Sequence, residues 1–325
     1  RGCSTVQFSL IPAELFETYS KRLAAVDRWG NQATVSLLCF DSWCRKTYPD
    51  ATGITQEMVD VWCAKRPTEK NNSCRSRIYP VVEFVRYLRE RGIADLSDPE
   101  IPRHEPSRYV PHAFTESELR AFFGICDSWP VTSNTVRSKN LALTLPVFFR
   151  LLYSSGIRTT EARLLRCEDV DLASGVLDVK RSKGHCQHFV AMHDSMTGLM
   201  RRYDESIRLL YPTRTHFFPR NSTEGRTAAW VSKTFKRLWG QVSDEHATAY
   251  ELRHNYAIEN INGWVGTGFD FFDRLTYLSR SMGHSDVETT RRYYALVPAL
   301  ADLIEDRCGD DLDDIFPEVG HEEAE

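Results

Sequence analysis

Met282-Gly-His-Ser-Asp-Val-Glu-Thr-Thr-Arg-Arg-Tyr293 sets a histidine, His284, nine residues ahead of a tyrosine. Ser285-Asp-Val-Glu288 has the form of a capping box, which predicts a helix starting directly after His284. On that helix Tyr293 stands about two and a half turns along, roughly 13 Å from His284 at 1.5 Å per residue. The two side chains cannot touch through the helix. Both can face one common group if the helix packs beside it.

Working outward, three cations precede this segment. Arg253 lies in Tyr250-Glu-Leu-Arg-His254. Arg158 lies in Gly156-Ile-Arg-Thr-Thr-Glu161, after the apolar run 141–153 and its Ser154-Ser-Gly156 stop, where a new helix begins. Lys183 lies in the turn between two strand-like runs, Val176-Leu-Asp-Val179 and Phe189-Val-Ala-Met192. Each residue alone has a plainer reading: a surface arginine, a turn lysine, a helix-capping histidine, a core tyrosine. The ordered set suits attack on a phosphodiester. That reaction builds negative charge on phosphoryl oxygens, which fixed cations must meet. Two guanidinium forks bind such oxygens in pairs and stay charged. Arg158 would also sit at a helix N-terminus, where backbone N–H groups favour an anion. A lysine can give the leaving oxygen a proton. A phenol, with a free pKa near 10, needs such a cationic setting and a proton acceptor. Its attack leaves a covalent phosphotyrosine that retains the bond energy for rejoining.

At these residues the sequence resembles the tyrosine recombinase (phage integrase) family. Gly-Ile-Arg-Thr-Thr-Glu-Ala-Arg-Leu-Leu165 is similar to the segment holding that family's first catalytic arginine, and Glu-Leu-Arg-His-Asn-Tyr-Ala257 to the second. Met282 to Tyr293 is similar to its Gly-His and nucleophile segment. The resemblance implies Arg158, Lys183, Tyr250, Arg253, His284 and the nucleophile Tyr293 as the catalytic set. It implies a mostly α fold with a small β-sheet, as a two-domain DNA clamp: a helical core-binding domain and a catalytic domain. It further implies double-stranded DNA sites as partner, a 3′-phosphotyrosine and a four-way (Holliday) junction, and a homotetramer on DNA. No cofactor and no metal are implied. The sequence departs from the family at Tyr250, which stands where a histidine is usual. The stretch from Arg253 to His284 is also long, and its Trp264, Phe269, Phe271 and Phe272 read as extra packing. This region is similar to transposon-type integrases, which points to a mobile element.

Four prolines, Pro99, Pro102, Pro106 and Pro111, block regular structure and mark a linker. The expected plan is core-binding 1–98, linker 99–112, catalytic 113–304 and an acidic tail 305–325. Thr115-Glu-Ser-Glu118 is a capping box opening the catalytic unit. Before the linker, residues 32–48 show helical spacing and Thr55 can cap a following helix. Residues 74–91 form an amphipathic helix with a basic exposed side.

The net charge of −4 divides unevenly. Residues 305–325 hold ten acids against Arg307 alone, a balance of −9, which leaves +5 on the rest. Residues 65–91 hold eight bases against three acids, and Lys70, Arg75, Arg77, Arg86 and Arg89 are the expected DNA contacts. The acidic tail reads as disordered, as docking on a neighbouring protomer through Leu312, Ile315 and Phe316, or as a shield for the basic cleft. Nine cysteines without a CxxC pair read as free thiols in a reducing cytosol. For the recombinase that the resemblance implies, the expected location is the bacterial cytosol, associated with the nucleoid. His185, Cys186 and His188 read as a polar turn rather than a zinc site. No membrane span and no signal peptide are expected. Two rival functions share parts of this pattern: a type IB topoisomerase, and a DNA-binding factor with a decayed site.

Overall fold

The computed structural model describes residues 10–25, 31–106, 110–180, 187–264, 271–284, 286–291 and 293. Two compact units divide it, Arg1–Tyr109 and Val110–Glu325.

The first unit is helical: α1 Ala13–Ala25, α2 Asn31–Thr47, α3 Gln56–Cys63 and α4 Asn71–Glu90. Thr55 caps α3 as its sequence predicts, accepting from the Met58 N–H. Ile78, Val82, Val85 and Leu88 of α4 line one face and close the core against Phe40, Met58 and Val59. The proline-bearing stretch after α4 is irregular, as expected, yet it is tied down. Arg75 donates to the Pro102 carbonyl at 2.8 Å, and Asn72 accepts from the Glu105 N–H at 3.0 Å.

The second unit runs α5 Glu116–Asp127, α6 Val136–Ser155, α7 Thr159–Leu164, the short strands β1 Val170–Asp171, β2 Val176–Val179 and β3 His188–Ala191, then α8 Asp194–Leu210, α9 Ala228–Trp239, α10 Glu251–Trp264, α11 Phe271–Ser281 and α12 Glu288–Arg291. The capping box Thr115–Glu118 opens α5 with both reciprocal bonds present. The sheet is antiparallel in the order β1-β2-β3, with Leu177 opposite Val190. Those two side chains are buried while Phe189 on the other face is exposed, the alternation a half-covered sheet requires. Apolar α6 forms the centre, packed by α5, α7, α8 and α10. Its buried Phe148 and Phe149 meet Phe122, Phe218 and Trp230.

Gly156 ends α6 in the left-handed region, with φ +63°. A Cβ there would run into the Tyr256 ring. Gly156→Ala is therefore expected to destabilise the unit by about 2–4 kcal/mol, combining the left-handed penalty with overpacking. Thermal unfolding of the variant checks this. An unchanged Tm would mean that α10 shifts freely, contrary to its packing on α6.

The start of the last helix departs from expectation. The helical turn begins at Glu288 rather than directly after His284, and the Asp286 side chain accepts from the Thr289 N–H at 2.8 Å; Ser285 lies outside the described residues. Tyr293 then lies in a turn beyond α12 rather than along a helix from His284. Its ring joins Ala257, Ile261, Leu275, Leu278 and Met282 in an apolar cluster. Trp264 packs on that cluster as expected; Phe269 and the side chains of Phe271 and Phe272 lie outside the described residues.

Candidate active site

Arg158 is the N-cap residue of α7, in extended conformation, set there by the Gly156 stop. Glu161, 2% exposed, holds it twice: one carboxylate oxygen accepts from the Arg158 backbone N–H at 2.8 Å, the other from Nη1 at 2.6 Å. Arg158 Nη2 donates to the Gly283 carbonyl. Arg253, in the first turn of α10, is 1% exposed. Its Nη1 donates to the Gly156 carbonyl, and its Nη2 to the Met282 carbonyl at 2.7 Å and to His284 Nε2 at 2.9 Å. One guanidinium thus joins the end of α6 to the end of α11.

A guanidinium only donates, so His284 Nε2 accepts and its proton sits on Nδ1. Nδ1 then donates to Thr290 Oγ1 at 2.7 Å. Burial, with Arg253 and Arg158 nearby, brings the His284 pKa down to about 4, so the ring is neutral at pH 7. Gly283 precedes it with φ +65°, and a Cβ there would lie 2.5 Å from the His188 ring of β3.

Tyr293 is 7% exposed. Its hydroxyl lies 2.9 Å from Nδ1 of His254, the residue next to Arg253. Burial pushes the phenol up to about 12, and Arg253 and Arg158 pull against it. Burial, and then Arg253, bring the His254 pKa down to about 4. Tyr250 is 40% exposed and packs edge-on against His254, with ring centroids 5.0 Å apart.

The structure therefore gathers Arg158, Arg253, His284, Tyr293 and Tyr250 around one spot; Lys183 lies outside the described residues, as do His185 and Cys186. Sequence reasoning gave no role to Glu161 or His254. Both stand inside the quoted motifs, but only the fold shows what they touch.

The expected DNA contacts of the first unit divide differently. Arg77 is bound to Glu69 at 2.8 Å and donates to the Trp62 and Ala64 carbonyls. That pairing, above all the hydrogen bond from Arg77, holds the Glu69 carboxyl at about 2. Arg86 and Arg89 both pair with Asp98, and Arg75 also donates to Tyr79. These four side chains spend their donors within the chain. Lys70 is exposed and has no partner among the described residues.

A cation cluster in the second unit is completed by Arg137 of α6, far in sequence from its other members at 220–237. Arg137, Arg220, Arg226, Lys233 and Arg237 line a hollow of about 580 Å³, and no carboxylate is among its lining residues. Arg226 is 8% exposed, lies over the Trp230 ring and donates to Asn140 at 2.6 Å; its Nε finds no partner among the described residues.

Comparison with known proteins agrees with this geometry. The profile of the phage integrase family matches residues 112–299. Tyrosine recombinase XerA of Thermococcus kodakarensis is 27% identical over 69% of this chain and 72% of its own length. Tyrosine recombinase XerD of Lacticaseibacillus casei is 24% identical over 79% and 84%. Among solved structures, the Tn1549 transposon integrase in complex with a circular-intermediate DNA has a TM-score of 0.58 at 12% identity, covering 90% of this chain and 98% of that one. XerH site-specific recombinase bound to its difH substrate has a TM-score of 0.55 at 17% identity, covering 86% and 79%. The two structures share the fold. The chain belongs to the phage integrase family. More narrowly, it is a site-specific tyrosine recombinase, an enzyme that cleaves and rejoins DNA strands.

Proposed function

We propose that this recombinase moves a mobile element between double-stranded DNA sites, with Tyr293 as nucleophile and a 3′-phosphotyrosine as intermediate. The observation that carries this reading is the buried Tyr293 hydroxyl against His254, within the field of Arg253 and Arg158, with His284 bonded to Arg253. Arg158, fixed by Glu161, and Arg253, fixed by two carbonyls, are already in place to meet charge developing on a phosphate, so little reorganisation accompanies the attack. His284 adds a neutral ring whose donor and acceptor are both engaged, which suits it to hold Arg253 in position. Lys183 is assigned the protonation of the leaving oxygen. Covalent trapping on nicked duplex DNA is the test.

Residues 99–112 are read as the linker between the core-binding and catalytic domains. Four protomers assemble on two sites, with residues 309–325 of each tail engaging a neighbour. Deleting that segment should abolish tetramers on DNA while leaving binding to one site. The enzyme works in the cytosol on nucleoid DNA. No helix among the described residues is long and apolar enough to cross a membrane.

The hollow around Arg226 takes a backbone phosphate of the same DNA. Five cations lining one hollow, of which Arg220 pairs with Glu224 at 3.4 Å, favour an anion there. Arg137→Glu with Lys233→Glu is expected to weaken binding across all DNA sequences and to flatten the salt dependence by about 2 in log–log slope. Titration at several salt concentrations reads this. An unchanged slope would remove the hollow from the DNA surface.

A further inference from the structure

We infer that His254 is the base that takes the Tyr293 proton, in the place of the histidine that this chain lacks at position 250. The inference rests on the reading of Tyr293 as nucleophile. Three groups near the phenol are candidates for that proton, and the geometry separates them. His284 has both nitrogens engaged, Nε2 by Arg253 and Nδ1 by Thr290. Tyr250 is a phenol, which is a poor acceptor at neutral pH. His254 Nδ1 lies 2.9 Å from the Tyr293 oxygen, within reach for direct transfer. With the phenol donating, Nδ1 accepts and Nε2 carries the ring proton.

The groups facing His254 define its properties. Arg253 precedes it on α10, Tyr250 packs edge-on from the preceding turn, and Tyr293 closes the third side with ring centroids 5.4 Å apart. In the free protein this setting keeps the imidazole neutral and its lone pair available. An incoming phosphate adds a negative charge, which stabilises the imidazolium once it forms. The step balances as follows. The Tyr293 O–H bond breaks and its proton passes to His254 Nδ1. The phenolic oxygen's electron pair forms the bond to phosphorus. The bond from phosphorus to the 5′ oxygen breaks, its pair stays on that oxygen, and Lys183 supplies the proton there. In rejoining, His254 returns its proton to the phenol.

The position differs from the usual one by four residues. Tyr250 lies in the turn before α10, and its ring packs edge-on against His254, which puts the imidazole directly beside the place the usual histidine would occupy. Exposed Tyr250 then acts as a positioning wall for the imidazole rather than as part of the proton path.

The experiment compares wild type, Tyr293→Phe, His254→Gln and His254→Ala in single-turnover cleavage of a nicked suicide duplex, from pH 5.5 to 9. DNA affinity and helical circular dichroism confirm that each variant is folded. Wild type should form an adduct with a rate nearly flat above pH 6, since the lone pair is free there. His254→Ala should be slower by about a hundredfold or more at pH 7, with a rate that rises about tenfold per pH unit. His254→Gln supplies an acceptor oxygen that can place the phenol but cannot hold a proton, so it should stay slow. Site-specific replacement of Tyr293 by a fluorinated, more acidic tyrosine should recover most of the His254→Ala loss. A structural role would give restoration by glutamine, a parallel pH profile and no gain from the acidic phenol, and that result overturns the proposal. An adduct missing in wild type, or kept in Tyr293→Phe, would instead strike the nucleophile reading itself.

Discussion

Tyr293→Phe should yield no covalent protein–DNA adduct on a nicked suicide duplex, while Tyr294→Phe continues to form one. The prediction concerns one oxygen atom. Phenylalanine keeps the ring among Ala257, Ile261, Leu278 and Met282, so the apolar cluster and the fold persist. It removes the hydroxyl next to His254, and with it the atom proposed to join phosphorus. No partial rate is expected, because the neighbouring groups are two neutral imidazoles and two guanidiniums that do not substitute as nucleophile in that position. Denaturing gel electrophoresis of labelled DNA reads the result. An adduct surviving in Tyr293→Phe and vanishing in Tyr294→Phe would transfer the role to the adjacent residue.

Arg253→Lys should depress cleavage by about a thousandfold, the scale seen when one preorganised donor is removed from a charged transition state. Lysine keeps the charge but has no planar fork, so it cannot serve the Gly156 and Met282 carbonyls and the His284 ring together. Arg253→Met goes further. It leaves both carbonyls and the His284 acceptor without their donor, each costing about 1–3 kcal/mol where buried. Its melting temperature should fall by about 10 °C or more at roughly 2–4 °C per kcal/mol. Cleavage by Arg253→Lys within tenfold of wild type would show that charge alone suffices there. An unshifted melting temperature in Arg253→Met would show that the carbonyls find other donors.

Local signals were readable where one short segment determines the outcome. The Thr55 and Thr115 caps, the Gly156 stop and the two strand runs around position 183 follow from neighbouring residues only. The order of Arg158, Arg253, His284 and Tyr293 was readable for a different reason: the chemistry needs those residue types, and the motifs keep them together. What the sequence hides depends on distance. The basic stretch 65–91 counts as positive charge in sequence, but Glu69 and Asp98 take three of its arginines once the chain folds. The hollow around Arg226 joins residues from α6, α9 and the loop between α8 and α9, and no window of sequence contains it. The expected helix start directly after His284 came too early: the turn begins at Glu288, where Asp286 supplies the carboxylate that accepts from the Thr289 N–H. His254 was passed over because an imidazole beside an arginine looks alike in sequence whether it faces a tyrosine or solvent.

The tie made by Arg253 has one more result. The same guanidinium that closes the joint between α6 and α11 belongs to the proposed catalytic centre, so on that reading the two tasks cannot be separated. Opening that joint, by heat or by substitution, should therefore remove cleavage before the rest of the unit unfolds.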